Sequence, residues 1–309
     1  MLEAHNLSKS YGRTQAVADV SLAVRAGELL AVLGPNGAGK STTLGMLAGL
    51  IAPEGGEIRL AGATGERSSH DFKRRIGLVT QDVALYETLS ALRNVELFGS
   101  LYGLSGSALR ARAEAVLAMV GLTDRARDRV ATFSGGMKRR LNIACALVHD
   151  PAVILLDEPT AGVDPQSRNA IFDNLERLKR DGKALIYTTH YMEEAERLAD
   201  RVVIIDHGRV VASGTLDELY RNLPATESLE VECTGAPDLE VLRAIPSVKR
   251  AHREGDRLSL SIDELTRAGP AVLSALANDG CTVRRVSSGH ANLEDVFLAL
   301  TGRQLRDAP

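Results

Sequence analysis

The chain has 309 residues, of which 44% are apolar and 25% charged, the composition of an ordinary globular protein long enough for two domains. Its net charge of −3, its 4% aromatic content and its lack of tryptophan argue against nucleic-acid binding, which relies on a basic surface and stacking rings. Three widely spaced cysteines, an N-terminus unlike a signal peptide and no apolar run of ~18 residues predict a cytosolic protein that does not cross a membrane.

The first 30 residues predict short strands separated by turns at Tyr11-Gly12 and Ala26-Gly27. Tyr11 therefore lies in a turn. Its side chain is either an ordinary loop residue or an aromatic surface for stacking an adenine ring. The residue alone does not distinguish the two interpretations.

The run from residue 34 to residue 41 matches the phosphate-binding pattern G-x-x-x-x-G-K-[ST], known as the P-loop. The apolar run Leu29–Leu33 predicts a buried strand before it, and residues 42–50 predict a helix after it, a context that argues against a chance glycine loop. Glycines allow backbone N–H groups to turn toward phosphate oxygens, and a helix N-terminus favours negative charge. Lys40 is expected to contact the β- and γ-phosphates, and Ser41 to ligate Mg²⁺. The predicted nucleotide-binding residues are Gly34, Pro35, Asn36, Gly37, Ala38, Gly39, Lys40, Ser41 and Thr42.

Residues 57–80 predict further strands, and residues 90–149 have the apolar spacing of helices. Gln81 follows the last of these strands, so it is either a surface turn residue or a side chain that reaches a metal ion or a water molecule. Ser134, Gly135 and Gly136 precede a helix that starts with basic residues. They predict either a simple N-cap or an anion-binding nest at the helix N-terminus.

Two aliphatic runs, 152–156 and 184–188, predict strands buried on both faces of a parallel sheet and joined by a helix at 167–179. Asp157 and Glu158 come at the carboxyl end of the first run, the edge where α/β sheets bind ligands. Because successive strand side chains point in opposite directions, Asp157 is predicted to face Mg²⁺ and Glu158 to act as the general base on water. A solvated acidic turn is the alternative.

His190 follows the second aliphatic run, which places it at the same sheet edge, where a γ-phosphate would lie. An isolated histidine is more often structural, and that interpretation is the alternative. Residues 201–213 then predict a hairpin that turns at His207-Gly208.

From residue 225 the pattern changes to a ferredoxin-like β-α-β-β-α-β order followed by one more helix. The predicted strands are 228–233, 247–253, 258–262 and 282–287, and the predicted helices are 238–244, 269–278 and 293–300. No catalytic motif occurs in this segment. Val296, Phe297 and Leu300 form an apolar face on the last helix. That face either docks on the nucleotide-binding part or on a second copy, or belongs to the core of the small domain itself.

The motifs of this chain resemble, in their order, those of the nucleotide-binding subunit of ATP-binding cassette (ABC) transporters over residues 1–220. They are Tyr11, the P-loop, Gln81, Ser134-Gly135-Gly136, Asp157-Glu158, residues 161–165 and His190. The sequences of residues 133–140 and 293–303 are similar to the corresponding sequences in the ABC branch that includes the daunorubicin-resistance exporter ATPase. Phe133 and Met137 stand where the commoner ABC signature has Leu and Gln.

The resemblance implies an α/β fold: a P-loop NTPase ABC cassette at 1–222, with a mixed sheet and a helical subdomain at about 84–150. A small C-terminal α+β domain of ferredoxin-like type is expected at 225–309. The resemblance further implies a homodimer in which two cassettes lie head to tail with ATP at their interface.

The resemblance also assigns roles to single residues. Ser134 and Gly136 would contact the γ-phosphate held by the other copy's P-loop, and Asp164 would lie across the dimer from that loop. His190 would hold the γ-phosphate and the attacking water, and Gln81 would sense Mg²⁺. The expected catalytic residues are Glu158, His190 and Gln81; the expected Mg²⁺ ligands are Ser41, Gln81 and Asp157; Tyr11, Ser134, Gly135, Gly136 and Asp164 complete the ATP site.

The function implied is ATP hydrolysis that drives export through a separate ABC-2-type membrane permease. The chain would then lie at the cytoplasmic face of the cell membrane and touch it only through the permease. A soluble ABC ATPase of translation or DNA repair is the alternative, but such relatives usually carry two cassettes or a long coiled-coil insertion. A non-enzymatic nucleotide switch is a third possibility, and Glu158 speaks against it because a degenerate site often lacks the base.

Overall fold

The computed structural model describes residues 1–61, 69–221, 227–290 and 292–302. It divides into two compact units, one covering Met1–Ser213 and another that begins at Gly214. The domain boundary expected between residues 222 and 225 lies outside the described residues. In the described part of the chain, no helix has the length and hydrophobicity needed to cross a membrane.

The first unit combines two sheets with seven described helices. Its strands are β1 (Leu2–Tyr11), β2 (Thr14–Val24), β3 (Leu29–Leu33), β4 (Gly55–Leu60), β5 (Ile76–Val79), β6 (Val153–Asp157), β7 (Ala184–Thr189), β8 (Arg201–Asp206) and β9 (Arg209–Gly214). Its helices are α1 (Lys40–Leu47), α2 (His70–Arg74), α3 (Ala91–Leu101), α4 (Gly106–Met119), α5 (Gly135–Leu147), α6 (Pro165–Arg180) and α7 (Met192–Leu198).

The central sheet has six strands in the order β5-β6-β7-β3-β8-β9. The first five strands in this order, β5, β6, β7, β3 and β8, are parallel, as predicted for the aliphatic runs. The strand β9 follows β8 through His207 and Gly208, both at positive φ, as in a type I′ hairpin turn. The central sheet is therefore mixed, and it brings the carboxyl ends of β3, β6 and β7 to one edge.

The strand β6 shows how this sheet is buried on both faces. Its residues Ile154 and Leu156 pack into one apolar cluster, which includes side chains of α3, α4, α5 and α6. The alternate residues, Val153 and Leu155, pack into a second cluster, which includes side chains of α1, β1 and β2. Helices thus cover one face, and α1 with the second sheet covers the other.

That second sheet is antiparallel and has the order β2-β1-β4. Short strands were predicted near the N-terminus, but β1 and β2 span 10 and 11 residues. Register irregularities occur along their pairing, and Asn6 and Asp19 have positive φ values of 51° and 95°. Local breaks of this kind mask the period-2 pattern of a long strand, because each one shifts the side chains to the other face.

Helices occupy 90–149 as predicted, in the form of α3, α4 and α5. Two short helices of the first unit were not predicted, and neither was the short helix that opens the second unit. Within 57–80, α2 begins after Ser69, whose hydroxyl accepts a hydrogen bond from Phe72 N at 3.2 Å; the predicted strand residues 62–68 lie outside the described part. The helix α7 follows β7, in a stretch whose charged residues hid its apolar face.

The second unit has the predicted ferredoxin-like order. After α8 (Leu216–Arg221) come β10 (Glu227–Thr234), α9 (Leu239–Arg243), β11 (Val248–Glu254), β12 (Arg257–Ile262), α10 (Leu265–Asn278), β13 (Thr282–His290) and α11 (Leu293–Thr301). The four strands pair antiparallel in the order β11-β12-β10-β13. On α11, Val296 and Phe297 are buried and Leu300 is exposed, and α11 lies against α8 in the same unit.

Candidate active site

The P-loop joins the buried strand β3 to α1, as its sequence predicts. Two of its glycines are required by close backbone approach. A Cβ on Gly34 would lie 2.3 Å from Ile205 O, and one on Gly39, which has a φ of 103°, would lie 2.4 Å from Ala16 O. The turn between β8 and β9 also braces the loop, because Gly208 N donates to Ala38 O at 3.0 Å. The loop is therefore shaped by residues from both sheets.

Lys40 lies at the first position of α1, and its side chain is almost fully buried. Its Nζ donates to Gly34 O at 2.7 Å and to Pro35 O at 3.0 Å, so the side chain folds back over the loop. The same atom lies 3.3 Å from Glu158 Oε1. Lys40 thus connects the P-loop to the carboxyl end of β6.

Asp157 and Glu158 end β6 in different backbone conformations. Asp157 is the last strand residue, whereas Glu158 has a φ of 44°, which turns its side chain away from the strand direction. The hydroxyl of Thr188 bridges the two: it accepts from Glu158 N at 3.0 Å and donates to Asp157 Oδ1 at 2.7 Å. Both carboxylates are buried. Asp157 thus contacts Thr188, whereas Glu158 contacts Lys40, so the two carboxylates have different partners.

His190 lies where β7 ends, on the other side of Glu158. Its Nδ1 is 3.1 Å from Glu158 Oε2, but that buried nitrogen makes no hydrogen bond of acceptable geometry among the described residues. Its ring packs at a tilt against the ring of Tyr191, with centroids 4.1 Å apart. Glu158 therefore lies between a buried ammonium group and an imidazole, an arrangement we call the Lys40–Glu158–His190 cluster.

Ser134, Gly136 and Asp164 form a second group, at the start of α5 and α6. The Ser134 hydroxyl caps α5 by accepting from Met137 N, and the Asp164 carboxylate caps α6 by accepting from Ser167 N at 2.9 Å. Hydrogen bonds from Ser167 lower the pKa of Asp164. A Cβ on Gly136 would lie 2.2 Å from Ser167 Oγ, so the two helix starts touch. Gly135 is exposed beside them.

Tyr11 and Gln81 lie apart from the cluster. Tyr11 is exposed at the end of β1, with Lys9 Nζ 5.8 Å from the centre of its ring. Gln81 is exposed in the loop after β5. In the described residues, no hydrogen bond or ion pair links Tyr11, Gln81 or the Ser134 group to Lys40, Glu158 or His190. Within one chain the predicted site residues thus fall into separate groups.

Arg139 connects α5 to the Gln81 loop, a role that its sequence did not reveal. Its guanidinium is buried and donates to Thr80 O at 2.9 Å. Burial lowers the pKa of Arg139, and the nearby carboxylates of Asp82 and Asp157 oppose that shift. In the sequence, Arg139 looks like one of several surface charges at a helix start, because nothing local shows that it points inward.

Four further polar residues adjoin the cluster and were also missed: Thr160, Tyr187, Thr189 and Glu194. All four are buried and hydrogen-bonded to one another. The pair Thr188-Thr189, at the end of an otherwise aliphatic strand, is the one sequence signal that pointed to them. Glu194 carried no signal, because it lies among charged neighbours typical of a solvated helix.

The strand, glycine loop and helix, together with paired carboxylates on a neighbouring strand, define a P-loop nucleotide-hydrolysing domain. The family model for ABC transporters matches residues 17–161, and the model for the C-terminal domain of ATP-binding proteins like DrrA1-3 matches residues 214–301. The chain belongs to the family of ABC transporter ATP-binding proteins, and within that family it resembles the daunorubicin-resistance-type ATPases.

Among the relatives that match almost all of the chain are two drug-resistance ATP-binding proteins. The linearmycin resistance ATP-binding protein LnrL of Bacillus subtilis (strain 168) is 40% identical over 99% of this chain and 100% of the relative. The daunorubicin/doxorubicin resistance ATP-binding protein DrrA of Streptomyces peucetius is 40% identical over 99% of this chain and 94% of the relative. A dimeric post-hydrolysis structure of the cassette MJ0796 with ADP and Pi aligns with a TM-score of 0.64 and 32% identity, covering 70% of this chain and 99% of that one.

These comparisons confirm the fold class predicted from the sequence, and they confirm that the chain is an ATP-binding, ATP-hydrolysing transporter subunit. They do not support the alternative of a translation or DNA-repair ATPase. The non-enzymatic switch is likewise not supported. The roles of single residues remain predictions, and the distances and hydrogen bonds of the site make them more specific.

Proposed function

We propose that this chain is the ATPase subunit of an exporter, working as a homodimer on a separate ABC-2-type membrane permease at the cytoplasmic face of the cell membrane. The observation that carries the catalytic part of this proposal is the Lys40–Glu158–His190 cluster. Its three side chains come from the P-loop helix and from two neighbouring parallel strands. They meet at the sheet edge where ligands of α/β proteins bind.

Glu158 is proposed as the general base that takes a proton from the attacking water. Its position suits this role because it lies at the sheet edge where the γ-phosphate is expected, with Oε1 3.3 Å from Lys40 Nζ and Oε2 3.1 Å from His190 Nδ1. His190 is proposed to hold the γ-phosphate and the water. Lys40 is proposed to neutralise charge on the β- and γ-phosphates as a point charge.

The residues proposed to hold Mg²⁺ supply the oxygen ligands that this ion prefers. Ser41 offers a hydroxyl, Gln81 an amide and Asp157 a carboxylate whose orientation is set by Thr188. No group of three or more His, Cys, Asp or Glu residues suited to a metal occurs in the described part of the chain. Mg²⁺ is usually held by one or two carboxylates together with phosphates and water, and Asp157 is the one carboxylate among the three proposed ligands. When bound, Mg²⁺ would neutralise charge on the phosphate oxygens.

The second group, at Ser134, Gly136 and Asp164, is proposed to complete the ATP site of the other copy. This assignment explains why one chain holds two separated groups of predicted site residues. ATP would bridge the two copies, and its hydrolysis would release them, so that the difference in dimer affinity between nucleotide states drives the permease.

The substitution Glu158→Gln tests the proposed base. It keeps the shape of the side chain but removes the basic carboxylate, so ATP hydrolysis should fall by about 10²–10⁴-fold while ATP binding persists and dimers accumulate. Hydrolysis by the purified chain and light scattering with ATP and Mg²⁺ measure both effects. Glu28→Gln is the control, because Glu28 is also a buried acid, paired with Arg201 at 2.9 Å. A parent-like rate in Glu158→Gln would remove Glu158 from this role.

The transporter part is tested with a polytopic membrane protein encoded beside this chain. Co-expression should bring the chain to the membrane fraction, and inverted vesicles should take up substrate only with ATP and an intact Glu158. A chain that stays in the soluble fraction beside every such candidate would contradict the proposed permease partnership.

A further inference from the structure

The carboxylate of Glu194 is the centre of a buried polar network directly behind the Lys40–Glu158–His190 cluster. Glu194 lies on α7 and is 3% exposed. Its Oε1 accepts from Thr160 Oγ1 at 2.8 Å, and its Oε2 accepts from Tyr187 OH and from Thr189 Oγ1, each also at 2.8 Å. Three hydroxyl groups from two different segments of the chain therefore converge on one carboxylate.

The hydroxyl groups are donors to this carboxylate. Thr160, Tyr187 and Thr189 each carry one hydroxyl hydrogen, and a carboxylate has oxygen lone pairs enough to accept from all three. Thr160 Oγ1 also lies 3.0 Å from Tyr187 OH, so the hydroxyl groups contact one another as well. Burial and the neighbouring Glu194 carboxylate raise the pKa of Tyr187, so its phenol stays protonated and remains a donor.

Arg168 is a more distant neighbour of the carboxylate. Its Nε lies 3.6 Å from Glu194 Oε1 and makes no hydrogen bond among the described residues. Its guanidinium lies 5.7 Å from the ring centre of Tyr191, next to His190. The three hydroxyl groups, each at 2.8 Å, are therefore the close partners of the carboxylate.

One branch of the network reaches Glu158. Thr160 is two residues beyond Glu158, and the turn between them closes through a hydrogen bond from Ala161 N to Glu158 O at 3.1 Å. Glu158 has a left-handed backbone conformation, which costs energy unless its surroundings hold it. The bond from Thr160 to Glu194 anchors the far end of this turn.

The other branch reaches His190. The hydroxyl of Thr189 donates to Glu194 and at the same time accepts from Tyr191 N at 2.9 Å. These two bonds hold the residues on both sides of His190. The carboxylate of Glu194 therefore fixes the backbone next to Glu158 and the backbone next to His190, whose side chains approach within 3.1 Å.

We propose that Glu194 is a positioning residue for ATP hydrolysis, whose carboxylate sets the relative placement of Glu158 and His190 through its hydrogen bonds. The inference rests on the proposed function, because it acts through those two residues. Thr160 lies between Glu158 and Asp164 in sequence. A displacement of the turn that contains Asp164 would therefore reach Glu158 through Thr160. Glu194 touches neither substrate nor the reacting atoms in this role.

The test is Glu194→Gln, compared with Glu193→Gln on the exposed side of the same helix. The amide keeps the size of the side chain but replaces one acceptor oxygen with an N–H donor, so at least one of the three hydrogen bonds to this side chain must be lost or reversed. Because small errors of placement in an active site cost up to about 10²-fold in rate, kcat should fall by about 10–100-fold in Glu194→Gln. The Kd for ATP and the KM should stay within about two-fold of the parent, because the P-loop is untouched. Glu193→Gln should behave as the parent. An unchanged kcat in Glu194→Gln, or a loss of ATP affinity that matches the loss of kcat, overturns the proposal.

A double-mutant cycle with Glu158→Gln separates positioning from general damage. If Glu194 acts through Glu158 and His190, adding Glu194→Gln to Glu158→Gln lowers the rate by much less than the product of the two single losses; two independent, multiplying losses overturn the proposal. A parent-like rate in Glu158→Gln alone refutes the proposed base and with it this role. An inactive Glu158→Gln beside a parent-like Glu194→Gln refutes only the positioning role.

If Glu194→Gln does not fold, variants of Thr189 test the same network. Thr189→Val removes the hydroxyl at constant size, and Thr189→Ser keeps it. A reduced kcat in Thr189→Val with recovery in Thr189→Ser supports the network. Equal rates in the two variants overturn it.

Discussion

Lys40 Nζ and Glu158 Oε1 lie 3.3 Å apart, and the side chain of each is less than a tenth exposed. The ammonium group has three hydrogens, and it has three close acceptors: Gly34 O, Pro35 O and this carboxylate oxygen. A phosphate oxygen that binds Lys40 must therefore replace one of them. The carboxylate is the longest of the three contacts, so its exchange for phosphate would free Glu158 to receive a proton from water.

Lys40→Ala should weaken ATP binding itself. The substitution removes charge-assisted contacts to the phosphates, each worth about 1.5–3 kcal/mol, so the Kd for ATP should rise by about 10–100-fold. Isothermal titration with ATP and Mg²⁺ measures the change. Lys179→Ala is the matched control, because Lys179 also makes a close ion pair, with Asp200 at 3.0 Å, but lies at the far end of α6. An unchanged Kd in Lys40→Ala would contradict the P-loop assignment.

Ser134 is expected to serve the ATP site of the other copy. Ser134→Arg should leave ATP binding by the monomer nearly intact but abolish ATP-driven dimers and turnover. Light scattering of the purified chain with ATP follows the dimers, and titration follows binding. Normal dimers in Ser134→Arg would refute the shared site.

The cap that Ser134 makes on α5 needs its own control. Ser134→Ala and Ser90→Ala each remove a serine that caps a helix, α5 or α3, by accepting from the backbone N–H three residues on. Each should lose about 1 kcal/mol of stability. Only Ser134→Ala should also lose turnover, and equal turnover losses in the two variants would assign the effect to the cap.

Gly136 and Gly135 should respond differently to the same added methyl group. A Cβ on Gly136 meets Ser167 Oγ at 2.2 Å and Asp164 Oδ2 at 3.1 Å, whereas one on Gly135 meets no atom within 4 Å. Thermal unfolding without nucleotide should show a loss of about 1–3 kcal/mol in Gly136→Ala, from overpacking. Gly135→Ala should be neutral or slightly stabilising, because alanine lowers the entropy of the unfolded chain. Equal stabilities would mean that α5 and α6 can separate freely.

His149 should make stability fall as the pH falls. Its Nε2 lies 3.1 Å from Ile76 O, its ring stacks on Tyr102, and burial lowers its pKa from 6.5 to about 4. Between these two values the unfolded chain binds the proton and the folded chain does not, so stability contributed above pH 6.5 is lost on acidification toward pH 4. His149→Phe keeps a stacking ring without a titrating nitrogen. Unfolding midpoints measured from pH 7 to pH 4 should fall less steeply in His149→Phe than in the parent, and parallel curves would contradict the assignment.

The sequence predicted the parts of the fold that rest on local pattern. The aliphatic runs became β6 and β7, and the P-loop lies between β3 and α1, because strand and loop propensities there agree with the tertiary fold. The ferredoxin-like order of the second unit was also recovered. The helix α7 was missed because its charged residues suggest a solvated segment, although Glu194 faces inward.

The sequence predicted those parts of the candidate site that lie in a recognisable motif or directly follow a strand. Asp157, Glu158 and His190 follow apolar strands, so the edge they share could be inferred from topology alone. Two contacts could not be inferred in this way, because each joins residues that are distant in sequence. One is the hydrogen bond of Thr188 with Glu158, and the other is that of Arg139 with Thr80. Hydrogen bonds between distant segments leave no periodicity in the chain.

The turn at Gly208 determines when, during synthesis of the chain, the P-loop can take its final shape. Its N–H holds Ala38 O, its own carbonyl accepts from Ala18 N at 2.7 Å, and a Cβ at Gly34 would collide with Ile205 O. The P-loop therefore gains its shape from residues that leave the ribosome long after the loop itself. A nascent chain that ends before β8 carries the whole P-loop sequence but lacks the backbone that forms its wall. Nucleotide therefore cannot stabilise the growing polypeptide through this wall before the last hairpin of the first unit has emerged from the ribosomal tunnel.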